Sequence, residues 1–184
     1  MIVEDTAIAD VKIVTPRRHG DHRGYFSEVY RQDVLDKAGL PLLFVQDNHS
    51  LSRQVGTLRG LHFQAPPFAQ DKLVRVLRGA ILDVVVDLRA SSATFGQHVS
   101  VELSAANWRQ LLAPIGFAHG FCTLEPDTEV FYKVTNYYSA AHDLGLAWDD
   151  PALGIAWPVD AQSAVLSEKD RRYPVLKDLP AAFA

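Results

Sequence analysis

Histidine, lysine and tyrosine side chains in strand-like settings are the residues of this chain best placed to move protons. The richest window is Gly56-Thr57-Leu58-Arg59-Gly60-Leu61-His62-Phe63-Gln64. Strand alternation sends Leu58, Gly60, His62 and Gln64 to one face and Arg59, Leu61 and Phe63 to the other. Glycine in the histidine row leaves room for something to approach the backbone. Imidazole titrates near neutral pH, so His62 at the mouth of a barrel is a candidate general base; the plainer alternative is a buried, hydrogen-bonded imidazole. A second histidine, His119, stands in Pro114-Ile115-Gly116-Phe117-Ala118-His119-Gly120-Phe121. Lys72 opens the run Leu73–Leu77, where a strand-start lysine is ordinarily solvated. Tyr132 sits in Val130-Phe131-Tyr132-Lys133-Val134, where a core aromatic with a satisfied hydroxyl is the default. Gln46-Asp47-Asn48-His49-Ser50 is costly to bury unless it lines a wet pocket or forms a turn. Arg23, in Gly20-Asp21-His22-Arg23-Gly24, is a turn arginine whose plain reading is solvent exposure.

The elements that must position these groups are strands. Short runs rich in Val, Ile, Phe, Tyr and Leu are punctuated by Gly, Pro, Asp and Asn. Strands are expected at Val11–Val14, Tyr25–Tyr30, Phe44–Ser50, Leu58–Gln64, Leu73–Leu77, Ala80–Leu88, His98–Leu103, Arg109–Leu112, Gly120–Leu124 and Glu129–Thr135. The two runs around Arg78-Gly79 read as a hairpin. A short helix is expected from Gln32 to Ala38, ending at Gly39. Ser104–Asn107 reads as a turn, Ser167 caps a turn through Asp170, and Trp148–Pro158 reads as a loop wrapping the barrel. Closely spaced strands with almost no helical crossovers predict an all-β antiparallel jelly-roll barrel with a few short peripheral helices. The pattern Pro114-x-Gly116-x-x-His119 resembles the second cupin motif and agrees with it. In metal-binding cupins the first motif supplies paired histidines; here that place reads His62-Phe63-Gln64, so no metal site is expected.

The chain has 184 residues, 48% hydrophobic and 22% charged, enough for one domain over residues 1–184 with a core that needs no staples. Lys and Arg total 18 against 22 Asp and Glu, a net charge of -4. That balance, without a cationic tract, argues against nucleic acid. The lone cysteine, Cys122, excludes an internal disulfide framework and fits a reducing compartment. The N-terminus turns acidic at once, so no signal pattern is expected there, and no apolar run approaches the roughly 18–20 residues of a membrane helix. A cytoplasmic protein is expected.

Taken in order, the windows resemble the dTDP-4-dehydrorhamnose 3,5-epimerase family. The match runs through Gly20–Gly24, Val45–Ser50, Leu58–Gln64, Lys72–Arg75, Phe95-Gly96, Gly116–Phe121 and Tyr132–Thr135. It continues through Trp148–Pro151, Ile155–Pro158 and Leu166–Asp170, spanning about residues 3 to 180. The resemblance implies a cofactor-free epimerase acting on a dTDP-linked 4-keto-6-deoxy sugar. His62 falls on the family base, Asp170 on its carboxylate partner, Lys72 on the enolate stabiliser and Tyr132 on the acid. Arg23, Glu28, Gln46, Asn48, Arg59, His119, Asp143 and Lys169 fall on substrate-binding positions. It also implies a homodimer exchanging N-terminal strand material, so that Arg23 and Glu28 serve the neighbouring site. Asp143 stands where the family usually has Glu, Asp71 replaces a usual Gly and adds an anion beside Lys72, and His19 and Tyr25 replace common Phe residues. Alternatives within the fold are a monofunctional 3- or 5-epimerase and a non-catalytic sugar-nucleotide binder. A metal-dependent dioxygenase is opposed by Gln64.

Overall fold

The computed structural model describes residues 1–183; Ala184, the last residue of the expected domain, lies outside the described residues. The strands are β1 (Ile2–Asp5), β2 (Lys12–Thr15), β3 (His19–Asp21), β4 (Gly24–Phe26), β5 (Gln46–Ser52), β6 (Leu58–Gln64) and β7 (Lys72–Arg78). They continue with β8 (Ala80–Asp87), β9 (His98–Ser104), β10 (Gln110–Ala113), β11 (Phe117–Thr123), β12 (Thr128–Val134) and β13 (Asp143–Gly145). One helix, α1 (Gln32–Lys37), precedes β5. A six-stranded sheet ordered β1-β2-β10-β7-β12-β5 faces a five-stranded sheet ordered β13-β6-β11-β8-β9, and β3 and β4 form a separate ribbon. All pairings within these sheets are antiparallel. This is the expected jelly roll, in which each sheet buries one face against the other.

Alternation along the strands builds the space between the sheets. Val74 and Val76 of β7, Ile81 and Val85 of β8, Phe117 and Phe121 of β11 and Val130 of β12 meet in one buried cluster. The far face of the five-stranded sheet is covered by the C-terminal segment: Leu61, Phe63, Val84, Val86 and Ala118 pack under Leu153, Ile155, Trp157, Leu176 and Phe183. The expected loop around Trp148–Pro158 does wrap the barrel, pinned by Trp157 Nε1–H donating to the Trp148 carbonyl at 2.7 Å. With both faces covered, β8 can be the near-continuous apolar run Ile-Leu-Asp-Val-Val-Val. On the six-stranded sheet, α1 delivers Leu35 onto Val14, Leu73 and Leu112.

Two expectations about elements are corrected. The β7 and β8 runs are not a hairpin: β7 pairs with β10 and β12, β8 with β11 and β9. Only Gly79 separates them, too little for a two-residue hairpin loop, and the chain turns the corner from one sheet to the other. The expected strand Tyr25–Tyr30 stops at Phe26, and the Gly20–Gly24 turn is the tip of the β3–β4 ribbon, which leaves Tyr25 and Phe26 exposed. Among the described residues no helix is long and apolar enough to cross a membrane.

Candidate active site

At one end of the intersheet space the apolar core gives way to polar groups. On β7 and β12 the row that supplies Val74 and Val130 to the core continues to Lys72 and Tyr132. On β5 the alternating exposure of Gln46–Ser52 turns Gln46, Asn48 and Ser50 inward, resolving the polar run as a strand lining a cleft rather than a turn. The five-stranded sheet contributes His62 and Arg59 from β6 and His119 and Phe121 from β11. Two adjoining cavities of about 570 and 750 Å³ share His62, Lys72 and Tyr132. Gln46, Asn48, Gln64, Tyr138 and Asp143 line one; Arg59, His119, Ser167, Lys169 and Asp170 line the other.

Arg59 and His62 share this face although simple alternation puts them on opposite ones. His119 pairs with His62 and Phe121 with Arg59, so β6 carries one extra residue between the two pairs, a bulge. Leu58 leaves the His62 face and packs with Cys122 and Trp148. Gly60 lies at the bulge with φ of +131°, and a Cβ there would stand 2.5 Å from Gly120 Cα and 2.9 Å from the His119 carbonyl oxygen. Gly60→Ala is therefore expected to destabilise the protein by about 2–4 kcal/mol, because backbone must move on both strands. Urea denaturation measures it; a loss under about 0.5 kcal/mol would mean the bulge adapts freely.

His62 Nε2 lies 2.5 Å from Asp170 Oδ1, and Asp170 is 5% exposed. Nε2–H donates to the carboxylate, which leaves Nδ1, without a hydrogen bond to the described residues, as the basic atom. Asp170 in turn accepts from Ser167 Oγ at 2.8 Å, and its own N–H donates to Ser167 Oγ at 3.1 Å, so the expected Ser167 turn is what aims the carboxylate. Burial works to raise the Asp170 pKa, but the hydrogen bond and charge of His62 and the Ser167 donors together hold it below the usual carboxylate range.

The Lys72 ammonium donates to the His62 carbonyl at 3.2 Å. Burial lowers its pKa to about 8 against the opposing pull of Asp143 and Asp83. Tyr132 is raised above its ordinary value by burial, with Arg59 opposing and Asp143 reinforcing, so its hydroxyl stays protonated at neutral pH. Arg59 donates only to Ser52 Oγ and the Leu51 carbonyl, with no carboxylate partner among the described residues. Its fork is open to an anion.

Asp143 joins the cavities: its Oδ2 accepts from Tyr138 Oη at 3.0 Å and Lys169 Nζ at 2.5 Å. Burial disfavours the Lys169 ammonium, but Asp143 and then the Tyr173 hydroxyl outweigh this and raise its pKa. His119 Nε2 lies 2.5 Å from Oδ1 of the fully buried Asp83. The Gln64 amide is consumed by main chain, donating to the Phe68 and Tyr137 carbonyls and accepting from Ser139 N–H. Asp71 does not point an anion at Lys72; it accepts from Ile115 N–H at 2.9 Å and Thr135 Oγ1 at 3.0 Å.

The fold thus brings together His62, Lys72, Tyr132, Asp170, Gln46, Asn48, Arg59, His119, Asp143 and Lys169. It does not bring in Arg23, which is on the exposed ribbon paired with Asp21, or Glu28, which is exposed beside Arg31. Sequence reasoning missed Asp83, Tyr138 and Tyr173. Asp83 had a signal, a carboxylate inside an apolar strand, which is costly unless paired. Tyr138 had a weaker one, the second of two tyrosines in a polar loop. Tyr173 had none.

The sequence profile of the dTDP-4-dehydrorhamnose 3,5-epimerases matches residues 5–178. A dTDP-4-dehydrorhamnose 3,5-epimerase of Sinorhizobium fredii is 56% identical over 183 residues, covering 100% of this chain and 93% of its own. Among solved structures, the Bacillus anthracis dTDP-4-dehydrorhamnose 3,5-epimerase with TDP and PPi bound is 55% identical, with a TM-score of 0.91 over 95% of this chain and 98% of its own. The Legionella pneumophila epimerase in complex with dTDP-4-keto-L-rhamnose is 42% identical, with a TM-score of 0.92 over 98% and 95% of the two chains. On its fold and its full-length sequence match, this chain belongs to the dTDP-4-dehydrorhamnose 3,5-epimerase family.

Proposed function

We propose that the chain epimerises dTDP-4-dehydro-6-deoxy-D-glucose at C3 and C5 to dTDP-4-dehydro-L-rhamnose, for dTDP-L-rhamnose biosynthesis, through an enolate. His62 is the base, Asp170 its orienting carboxylate, Lys72 the cation at the enolate oxygen and Tyr132 the acid. The observation that carries this assignment is that His62 and Tyr132 enter one cavity from facing sheets, with the Lys72 ammonium in the same space. Inversion at a carbon needs a base on one face and an acid on the other, and this arrangement supplies both. The 4-keto group acidifies the C3 and C5 protons, and the carbons end at the oxidation level at which they began, so the reaction calls for no redox cofactor.

Proton abstraction leaves charge on the C4 oxygen, where a fixed ammonium in a dehydrated cleft is most effective. The imidazolium that forms on His62 is held by Asp170. Arg59 and Lys169 suit the diphosphate, and the Gln46 and Asn48 amides suit a pyrimidine edge. His119 and Asp143 border the same space. Arg23 and Glu28 act across a homodimer, each completing the neighbour's cleft through exchanged N-terminal strand material. The reading takes residues 1–184 as one domain in a cytoplasmic setting, supported by the single, buried thiol of Cys122.

The test is incubation with the substrate in D₂O, following deuterium at C3 and C5 by NMR. Label at both carbons is expected. Label at one alone would make the protein a monofunctional epimerase, and label at neither a binding protein. Tyr132→Phe separates the two proton steps: epimerised product is expected to fall about 10²-fold or more while exchange persists. Exchange and turnover falling together would give Tyr132 another role.

A further inference from the structure

The C-terminal segment sets one aromatic ring against His62 that the assigned roles leave unexplained. Tyr173 lies three positions beyond Asp170 on a stretch fastened to the barrel: Ala147 N–H donates to the Pro174 carbonyl at 2.8 Å, and Leu176 N–H to Asp150 Oδ2 at 2.7 Å. The ring lies across Gly145, the β13 residue paired with His62. A Cβ on Gly145 would come within 2.4 Å of two ring carbons, so this seat exists only over bare backbone. From it the ring meets the His62 imidazole edge-to-face, with centroids 5.6 Å apart and planes at 70°. The Lys169 ammonium stands 5.8 Å from the same ring centre. The buried Tyr173 hydroxyl makes no close hydrogen bond among the described residues and has the Lys169 ammonium as its polar neighbour. With no close hydrogen bond at the hydroxyl, the packing of the ring is the main contact that favours this placement.

We infer that Tyr173 is a positioning residue for the base: its ring, seated on Gly145, fixes the plane of the His62 imidazole while Asp170 fixes its tautomer. One hydrogen bond defines a line and leaves the imidazole free to swing about it. A second contact off that line is what aims Nδ1 at a carbon-bound proton. The same short segment supplies both contacts. The inference rests on His62 being the base, and its test includes a measurement that does not require turnover.

The experiment compares wild type, Tyr173→Phe and Tyr173→Leu for kcat and KM with dTDP-4-dehydro-6-deoxy-D-glucose, for dTDP affinity by calorimetry, and for the imidazole ¹⁵N spectrum. Tyr173→Phe keeps the ring, so kcat is expected within about 2-fold of wild type and the melting temperature should not fall. Tyr173→Leu keeps bulk without a flat ring, so kcat is expected to fall about 10-fold with KM and dTDP affinity unchanged. Its His62 resonances should broaden, where wild type and Tyr173→Phe show one sharp Nε2–H tautomer. Wild-type kcat in Tyr173→Leu, a parallel loss of dTDP affinity, or equal losses in both variants would each overturn the inference. A wild type with the sharp tautomer but no exchange at C3 or C5 would leave the positioning intact and sink the epimerase assignment instead.

Discussion

His62→Ala is expected to lose both epimerisation and solvent exchange at C3 and C5, by about 10³-fold or more, while still binding dTDP. The size follows from removing the group that takes the proton, since a well-placed base is worth about 10²–10⁴. Both activities fall together because abstraction precedes every later step, which is what separates this variant from Tyr132→Phe. The side chain is 33% exposed to the cavity, so truncation opens no sealed void. The consequence for stability lies with its partner. Asp170 has a depressed pKa in the folded state, so it contributes stability that is present above the ordinary carboxylate pKa of about 4 and is lost as pH falls through the lower folded value. Without the imidazole that contribution shrinks, and His62→Ala should melt lower than wild type at neutral pH while converging with it in acid. Solvent exchange persisting at C3 or C5 in a folded, dTDP-binding His62→Ala protein would remove His62 as the base.

The strand framework is legible because burial imposes period two on short β-branched runs: the run Leu58–Gln64 coincides with β6, and Gly39 follows the end of α1. Which sheet a strand joins is not written locally. The runs on either side of Gly79 carry the same pattern whether they pair with each other or with strands distant in sequence, so the corner between sheets looked like a hairpin. The bulge at Gly60 was hidden for a related reason. Period two is blind to an inserted residue, and only the pairing of β6 with β11 reveals that Arg59 and His62 face the same way.

The site was legible wherever a residue was chemically out of place for a strand: His62, Lys72 and the Gln46–Ser50 run all stood out. Their roles came from resemblance to a family, not from spacing. Asp170 lies 108 positions from the histidine it holds, a separation no local pattern spans. Tyr173 sits in a loop where any residue type is unremarkable, and its meaning comes only from the bare Gly145 beneath it. Arg23 and Glu28 mark the opposite case, since the resemblance points to them and the described chain leaves them exposed, outside the cleft.

Lys72 should set the alkaline limit of activity. Burial pulls its pKa down from 10.5 to about 8, despite the opposing charges of Asp143 and Asp83. Below about pH 8 the ammonium is charged and can stabilise an enolate; above it the amine is neutral and the developing charge goes unmet. Activity is therefore expected to decline as pH rises through about 8. Stability should move the other way. The folded pKa lies below the unfolded value, so the cost of burying the charge is felt in full below about pH 8 and is relieved between there and about 10.4. Lys72→Met, neutral and of similar reach, is accordingly expected to lower kcat by about 10²–10³-fold while melting no lower than wild type at pH 7. In that variant the alkaline limb near pH 8 should vanish from what activity remains. Profiles of kcat and melting temperature over about pH 6–10 for both proteins decide it. If Lys72→Met kept wild-type turnover, or kept the same alkaline limb, the ammonium would be a substrate-orienting charge and the enolate would need another partner.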